Sequence, residues 1–230
     1  MSFRRTALFA LAAALAVTAP ALAQNVSVVH GISGSDLGLP NELAVDISVG
    51  GACAVPGLEF TDVAGPLPVD PGLYDVEVRL ADVGAPCTGL LVIAETLSVR
   101  FGEDLTVVAH LTTDGTITLA RFVNDVRAVD TGNGRLIVRH VADAPAVAIL
   151  ARSAGGAGPP APIITDLVAP NQAKLQVPAD DYLVGVRATG IGLIGPIPLT
   201  IAADTTTIVY AIGTLSSGTF TVAAQVISLD

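Results

Sequence analysis

The chain has 230 residues and a formal net charge of −10 at pH 7, with 11 Lys and Arg against 21 Asp and Glu. A surface this acidic repels nucleic acid and anionic lipid, so the composition argues against both as partners. Hydrophobic residues make up 51% of the chain, but aromatic residues only 4%, and Trp is absent. Large cores are therefore expected, without the aromatic platforms typical of carbohydrate-binding modules and many protein interfaces.

Residues 1–23 have the organisation of a secretory signal peptide. Two arginines precede the apolar stretch 7–19, and small residues stand at positions 21 and 23, where signal peptidase reads. We predict cleavage between Ala23 and Gln24. A retained anchor is the alternative, but the apolar stretch is shorter than the roughly 20 residues that a bilayer core requires. We therefore expect an exported protein, periplasmic or extracellular, with no stable membrane insertion after signal removal.

The rest of the chain contains an internal duplication. Three blocks recur in one order: residues 26–30 match 136–140, residues 71–79 match 178–187, and residues 96–122 match 198–225. This predicts a first repeat over residues 24–123 and a second over 135–230. The Asp, Asn and Gly residues of 124–134 are typical of a linker.

Within each repeat the apolar residues recur with the period of a β-strand. In residues 74–80, Tyr74, Val76, Val78 and Leu80 alternate with polar side chains. The pairs Asp114-Gly115 and Ser217-Gly218, each flanked by apolar runs, indicate hairpin turns in matching places. We predict an all-β fold of two tandem immunoglobulin-like antiparallel β-sandwich domains, with small β-barrels as the alternative.

Four residues are assigned structural roles from their positions in the repeats. Cys53 and Cys87 are the only cysteines, and an even count in an exported protein predicts a disulfide. Two separate thiols or a redox pair are the alternatives, although a redox pair favours Cys-X-X-Cys spacing. Tyr74 and Tyr182 each open a strand in equivalent places, like a tyrosine corner whose hydroxyl bonds the preceding loop.

His30 and His140 are equivalent in the two repeats and invite a functional interpretation. Each shares a strand face with apolar neighbours, which favours a structural imidazole bonded to a loop carbonyl or hydroxyl. Neither has the closely spaced second His that metal sites use. At the position equivalent to His110, the second repeat has Ile212. We assign no metal site, although calcium held between acidic loops is an alternative.

No pattern of catalytic residues emerges from the remaining polar side chains. The Gly-X-Ser-X-Gly nucleophile motif is missing, and the glycine-rich stretch 155–162 contains prolines and lacks the Lys-Ser/Thr of a phosphate loop. We predict no catalytic residues and no cofactor, and therefore a protein that is not an enzyme.

Several segments resemble a bacterial family of domains of unknown function, number 4397. "RHVADAPAVAIL" from Arg139 is similar to the "HxxxDAPAVDV" opening of that family, and "VVHGISG" from Val28 looks like a variant of it. "V-x-PGLYDVEV" and "L-x-V-x-x-GEDLTVVA" are similar to the strands that follow. The resemblance implies a secreted or cell-surface sandwich module, often in tandem, with no established activity. The second repeat departs from the family at Ala148, where Asp is more common, and has no cysteines.

Together these observations predict a non-enzymatic exported module of the cell envelope, with a binding or structural role. A cell-surface polymer or an envelope protein is the expected partner. One alternative is a secreted hydrolase or metal-binding protein with its site between the repeats. Another is self-association through exposed edge strands.

Overall fold

A computed structural model describes residues 24–39, 43–188 and 192–229, so the predicted signal peptide lies outside the described residues. Within the described ranges, no helix is long and apolar enough to cross a membrane. The structure is nearly all β, and a single 3₁₀ turn at Gly34–Leu37 interrupts the strands of this part of the chain.

The strands fall into two sets of eight that follow one another along the chain. The strands of the first repeat are β1 Gln24–His30, β2 Val45–Val49, β3 Ala52–Leu58, β4 Val63–Val69, β5 Gly72–Leu80, β6 Leu91–Val99, β7 Asp104–Leu111 and β8 Ile117–Val123. Those of the second repeat are β9 Asn133–His140, β10 Val147–Ser153, β11 Ala161–Leu167, β12 Asn171–Pro178, β13 Asp180–Ala188, β14 Leu193–Ile201, β15 Thr205–Ile212 and β16 Thr221–Ser228.

Each repeat consists of two four-stranded sheets, and equivalent strands occupy equivalent places. The inner sheets have the orders β4-β1-β7-β8 and β12-β9-β15-β16. The outer sheets have the orders β3-β2-β5-β6 and β11-β10-β13-β14. Pairing is antiparallel except that β1 runs parallel to β7 and β9 parallel to β15. The predicted all-β fold of two tandem sandwiches is confirmed, while the residues predicted to bound the domains stay predictions.

A core fills the space between the two sheets of each repeat. In the first repeat Ile47, Val76 and Val78 of the outer sheet pack against Val28 of the inner sheet. In the second repeat Val138 and Ile149 are among the equivalent buried residues. The alternation of apolar and polar residues from Tyr74 to Leu80 in β5 explains this arrangement, since one face of that strand lies on the core while the other faces out.

A further apolar cluster joins the two repeats. It contains Val29 and Phe122 from the first inner sheet and Ile137, Ile208 and Tyr210 from the second. The inner sheets therefore pack face to face, and the four sheets form successive layers. The central strands β7 and β9 are buried on both faces, and each contains a run of three consecutive apolar residues, Val107–Ala109 and Leu136–Val138.

The predicted linker is held by side chains of its own residues, of β9 and of β12. Nη1 of Arg135 donates to the carbonyl oxygens of Asp125 at 2.9 Å and Arg127 at 2.8 Å. The Asp125 carboxylate forms ion pairs with Arg127, Arg135 and Lys174. Hydrogen bonds from Arg127, together with these cations, hold the pKa of Asp125 well below its usual range despite partial burial. The segment is therefore fastened to the second repeat and is not a loose tether.

Candidate functional site

The segment between β5 and β6, residues 81–90, is attached to neighbouring strands by a disulfide and a carboxylate, and we call it the tethered loop. Cys87 in this loop is joined by a disulfide to Cys53 in the edge strand β3, with the Cα atoms 5.7 Å apart. The predicted disulfide is thus confirmed. Because β3 lies beside β2, the bridge fastens the loop back along the outer sheet.

Asp46 provides a second attachment for the tethered loop. Its neighbours Val45 and Ile47 point into the core, so the Asp46 side chain points away from it, yet Asp46 is buried. Its carboxylate accepts hydrogen bonds from the backbone N–H of Cys87 at 2.7 Å, of Asp82 at 3.3 Å and of Gly57 at 2.8 Å. Burial works to raise the pKa of Asp46, but these three donors outweigh it and lower the pKa below its usual value.

The base of the tethered loop is closed by hydrogen bonds from the last two residues of β5. Nη1 of Arg79 donates to the carbonyl oxygen of Gly89 at 3.0 Å, and the Leu80 N–H donates to the carbonyl oxygen of Leu90 at 2.9 Å. A Cβ atom at Gly89 would collide with the carbonyl oxygen of Leu80, so only glycine fits where the loop backbone passes this carbonyl. The loop conformation is thus specified at several points.

The tethered loop exposes aliphatic side chains. Val83 is completely exposed and Leu90 is 71% exposed. A firmly held loop loses little conformational entropy when a partner binds it, and burial of its apolar side chains contributes favourable free energy. The arrangement is suited to binding.

Among the described residues of the second repeat there is no equivalent of this arrangement. Asp46 pairs with Arg79 in the first repeat, and Ala148 pairs with the equivalent Arg187 in the second. Ala148 therefore takes the place of Asp46, and the anchoring carboxylate is missing there. In the sequence, β13 and β14 are separated by four residues, against ten between β5 and β6. Asp46 and the disulfide therefore occur together, in one repeat.

The structure places both predicted structural histidines at the end of equivalent strands, buried and bonded to loop carbonyls. Nε2 of His30 donates to the carbonyl oxygen of Leu43 at 2.8 Å, and Nε2 of His140 to that of Pro145 at 3.0 Å. Burial lowers the pKa of each ring, although the carbonyl bonds partly oppose this. Among the described residues there is no group of three His, Cys, Asp or Glu side chains placed to hold a metal ion.

The two predicted tyrosine corners have the same geometry. The Tyr74 hydroxyl donates to the carbonyl oxygen of Asp70 at 2.8 Å, and the Tyr182 hydroxyl to that of Pro178, also at 2.8 Å. Each bond joins the start of a strand to the end of the segment before it: Asp70 follows β4, and Pro178 is the last residue of β12. Of the two residues at the predicted signal cleavage, Ala23 lies outside the described residues and Gln24 begins β1.

A buried polar network between the repeats was missed by sequence reasoning. Arg139 is fully buried. Its guanidinium donates to Oδ1 of Asn124 at 2.7 Å, to the hydroxyl of Tyr210 at 3.0 Å and to Oε1 of Gln172 at 3.2 Å. Desolvation lowers the pKa of Arg139, and its contacts with Tyr210 oppose that effect. The available signal was the charged residue directly after the apolar run Leu136–Val138, at the position where the first repeat has Val29.

Comparison with known proteins identifies the family of the chain. Residues 24–150, more than half of the 230, match the family described as "Domain of unknown function (DUF4397)". The chain belongs to that family, which confirms the resemblance seen in the sequence. No curated protein matches the chain.

One solved structure, "The Bacillus anthracis TIE protein", is 12% identical with a TM-score of 0.27, over 84% of this chain and 50% of that chain. The chain thus spans about half the length of that structure.

Proposed function

We propose that the protein is an exported, non-enzymatic binding module whose tethered loop contacts a protein of the cell envelope. The observation that carries the proposal is the combination of firm attachment and apolar exposure in one loop. The Cys53–Cys87 disulfide and the Asp46 carboxylate hold the loop, while Val83 and Leu90 face solvent. Binding residues are commonly presented in this way, on loops positioned by a rigid scaffold.

A protein is a better match to this surface than a polysaccharide. Val83 and Leu90 offer aliphatic surface, which gains free energy against another apolar surface. Sugar rings are instead recognised through aromatic stacking and dense hydrogen bonding, and aromatic residues make up only 4% of this chain. We therefore choose an envelope protein as the partner.

Export is part of the proposal and rests on two features. Residues 1–23 have the pattern of a signal peptide. The Cys53–Cys87 disulfide belongs to the kind of bond that persists in oxidising compartments outside the cytoplasm.

The hydrolase alternative placed a site between the repeats, and the structure shows what occupies that region. Its centre is filled by the packed side chains that join the inner sheets. At the margin lies an open groove of about 450 Å³, whose lining contains Asp143 as its one carboxylate. Hydrolysis by paired carboxylates needs two acids facing each other across the cleft. We therefore base the proposed function on the tethered loop and not on this groove.

The proposal is tested by capture from envelope and culture-medium fractions, with three baits compared by quantitative mass spectrometry. The baits are the wild-type protein, Val83→Asp, and Val168→Asp as a matched control at another exposed valine, in the turn before β12. We expect the wild type and Val168→Asp to retain one envelope protein saturably, and Val83→Asp to bind it at least about tenfold more weakly. Equal retention by all three baits, or retention of polysaccharide alone, would overturn the proposal.

A further inference from the structure

The edge strands of the sheets are not equally protected against pairing with another chain. Exposed edges are usually blocked by proline or by charge. Within the described sheets, seven of the eight edge strands carry such a residue: Pro56 in β3, Pro66 and Pro68 in β4, Glu95 in β6, Arg121 in β8, Pro162 and Asp166 in β11, Lys174 in β12, and Pro196 and Pro198 in β14. Strand β16, with the sequence TVAAQVIS, carries none. Its eight residues pair with β15 without a bulge.

The same side of the first repeat is closed by a side chain that the second repeat lacks. Arg121 in β8 donates from Nε to the carbonyl oxygen of Ser98 in β6 at 3.3 Å and forms an ion pair with Glu103. Arg121 pairs with Val107 in β7, and Ala224 pairs with Val209 at the equivalent position of β15. Ala224 is therefore the residue of β16 that is equivalent to Arg121. An alanine cannot bridge the two sheets of the sandwich.

The second repeat accordingly has an apolar opening between β14 and β16. A cavity of about 120 Å³ lies there, lined in part by Leu199, Val222 and Ala224. On the same face of β16 and beyond the lining residues, Val226 is 61% exposed. The unprotected strand edge and the apolar opening therefore lie side by side.

We propose that β16 pairs with β16 of a second copy of this chain, antiparallel, about a two-fold axis at Ala224. With the two-fold axis perpendicular to the sheet, the same face of β16 points the same way in both copies. A residue that precedes Ala224 by a given number of positions then lies opposite the residue that follows Ala224 by the same number in the other copy. Val222 of one copy then faces Val226 of the other, and the two Ala224 residues face each other directly. The apolar face of β16 reads Val-Ala-Val in both directions, which makes it complementary to itself.

A second copy is favoured over other occupants by this symmetry. A two-fold interface requires a surface that matches itself, and like charges would oppose such pairing. Strand β16 has no charge, and its Val222, Ala224 and Val226 are symmetric about the centre. The pairing would join two four-stranded inner sheets into one continuous sheet and cover Val226 in both copies.

Sedimentation-velocity analysis over a range of protein concentrations tests the interface, with Val226→Lys as the disrupting variant. The matched control is Val123→Lys, because Val123 holds the equivalent position in β8 and is 41% exposed. We expect the wild type and Val123→Lys to dimerise with the same Kd, and Val226→Lys to dimerise at least about tenfold more weakly. A wild type that stays monomeric at all concentrations, or equal weakening by both lysines, would overturn the proposal.

Cross-linking tests the register without adding charge. Residues directly opposite each other in an antiparallel pair have Cα atoms roughly 4.5–5.5 Å apart, within the range that a disulfide spans. Ala224→Cys should therefore form a covalent dimer under mild oxidation, whereas Val226→Cys, which faces Val222, should do so much more slowly. Since Cys53 and Cys87 are already bonded to each other, they do not compete. Failure of Ala224→Cys to cross-link, or equal rates for the two variants, would exclude this register.

Discussion

The guanidinium carbon of Arg139 lies 4.6 Å from the centre of the Phe122 ring, and the two residues belong to different repeats. The same guanidinium lies 5.4 Å from the ring centre of Tyr210. Asn124, which follows β8, accepts a hydrogen bond from Arg139 and also interacts with Asp104. A single side chain of the second repeat thus connects it to a strand end of the first.

Replacing Arg139 is predicted to weaken the contact between the repeats. Arg139→Ala leaves a cavity between Phe122 and Tyr210 and removes a donor from Asn124, so we expect a loss of about 3 kcal/mol in the free energy of unfolding. Arg139→Met keeps most of the volume and removes the cost of desolvating a cation, so its loss should be about 1 kcal/mol. Urea denaturation measures both. An unchanged stability for Arg139→Ala would show that the network contributes nothing.

The two attachments of the tethered loop are predicted to act together. Asp46→Asn replaces a charged acceptor of three backbone donors, and we expect it to lower the free energy of unfolding by roughly 1.5–3 kcal/mol at pH 7. Asp70→Asn, at an exposed carboxylate, is the control and should change stability by less than about 0.5 kcal/mol. Because the pKa of Asp46 is lowered in the folded protein, its contribution is present above the ordinary Asp pKa and is lost as the pH falls through the lower one.

Reduction of the Cys53–Cys87 disulfide provides the second arm of this test. Opening a loop of this length is expected to lower stability by about 3–4 kcal/mol. Since Asp46 and the disulfide hold the same segment, their effects should not add, and the coupling should reach about 0.5 kcal/mol or more in a double-mutant cycle with Cys53→Ser/Cys87→Ser. Strictly additive losses would mean that the two attachments act independently.

The sequence predicted the folding of each repeat better than the contact between them. Strand β5 alternates apolar and polar residues, so its buried face could be read directly. Strands β7 and β9 do not alternate and are buried on both faces, which is the mark of a strand between two layers. The lack of alternation can be seen in the sequences "LTVVAHL" and "LIVRH". It predicts that both faces of these strands are covered, but not which part of the protein covers the second face. The role of Asp46 was hidden for a similar reason, since its three donors lie far from it in the chain.

The two tyrosine corners allow the contribution of one hydrogen bond to stability to be measured twice in the same protein. Tyr74→Phe and Tyr182→Phe each remove one hydroxyl that donates to a backbone carbonyl four residues earlier, at 2.8 Å. We expect each change to lower the free energy of unfolding by about 1 kcal/mol. The geometry is the same in both repeats, so the two losses should be similar, and thermal denaturation of both variants measures them. A loss confined to one variant would show that the hydroxyl bond is not a common stabilising element.

The stability of the protein is predicted to fall as the pH drops below about 6.5, because three buried histidines resist protonation. Desolvation lowers the pKa of His30, His110 and His140 in the folded state. Below the ordinary His pKa the unfolded chain therefore binds more protons than the folded one. Each histidine should then reduce the free energy of unfolding by up to about 1.4 kcal/mol per pH unit, until the pH reaches its folded-state pKa. For His30 the nearby Asp62 carboxylate partly opposes the effect.

His110→Ile separates this histidine effect from that of the carboxylates. The second repeat has Ile212 at the equivalent position, fully buried, so the substitution is compatible with the packing there. Urea denaturation between about pH 4.5 and 7.5 should show a pH dependence reduced by roughly one third in His110→Ile, because one of three buried imidazoles no longer titrates. The lowered pKa of Asp46 acts at more acidic pH, below this window. If the variant and the wild type show equal slopes, protonation of His110 does not contribute to the loss of stability in acid.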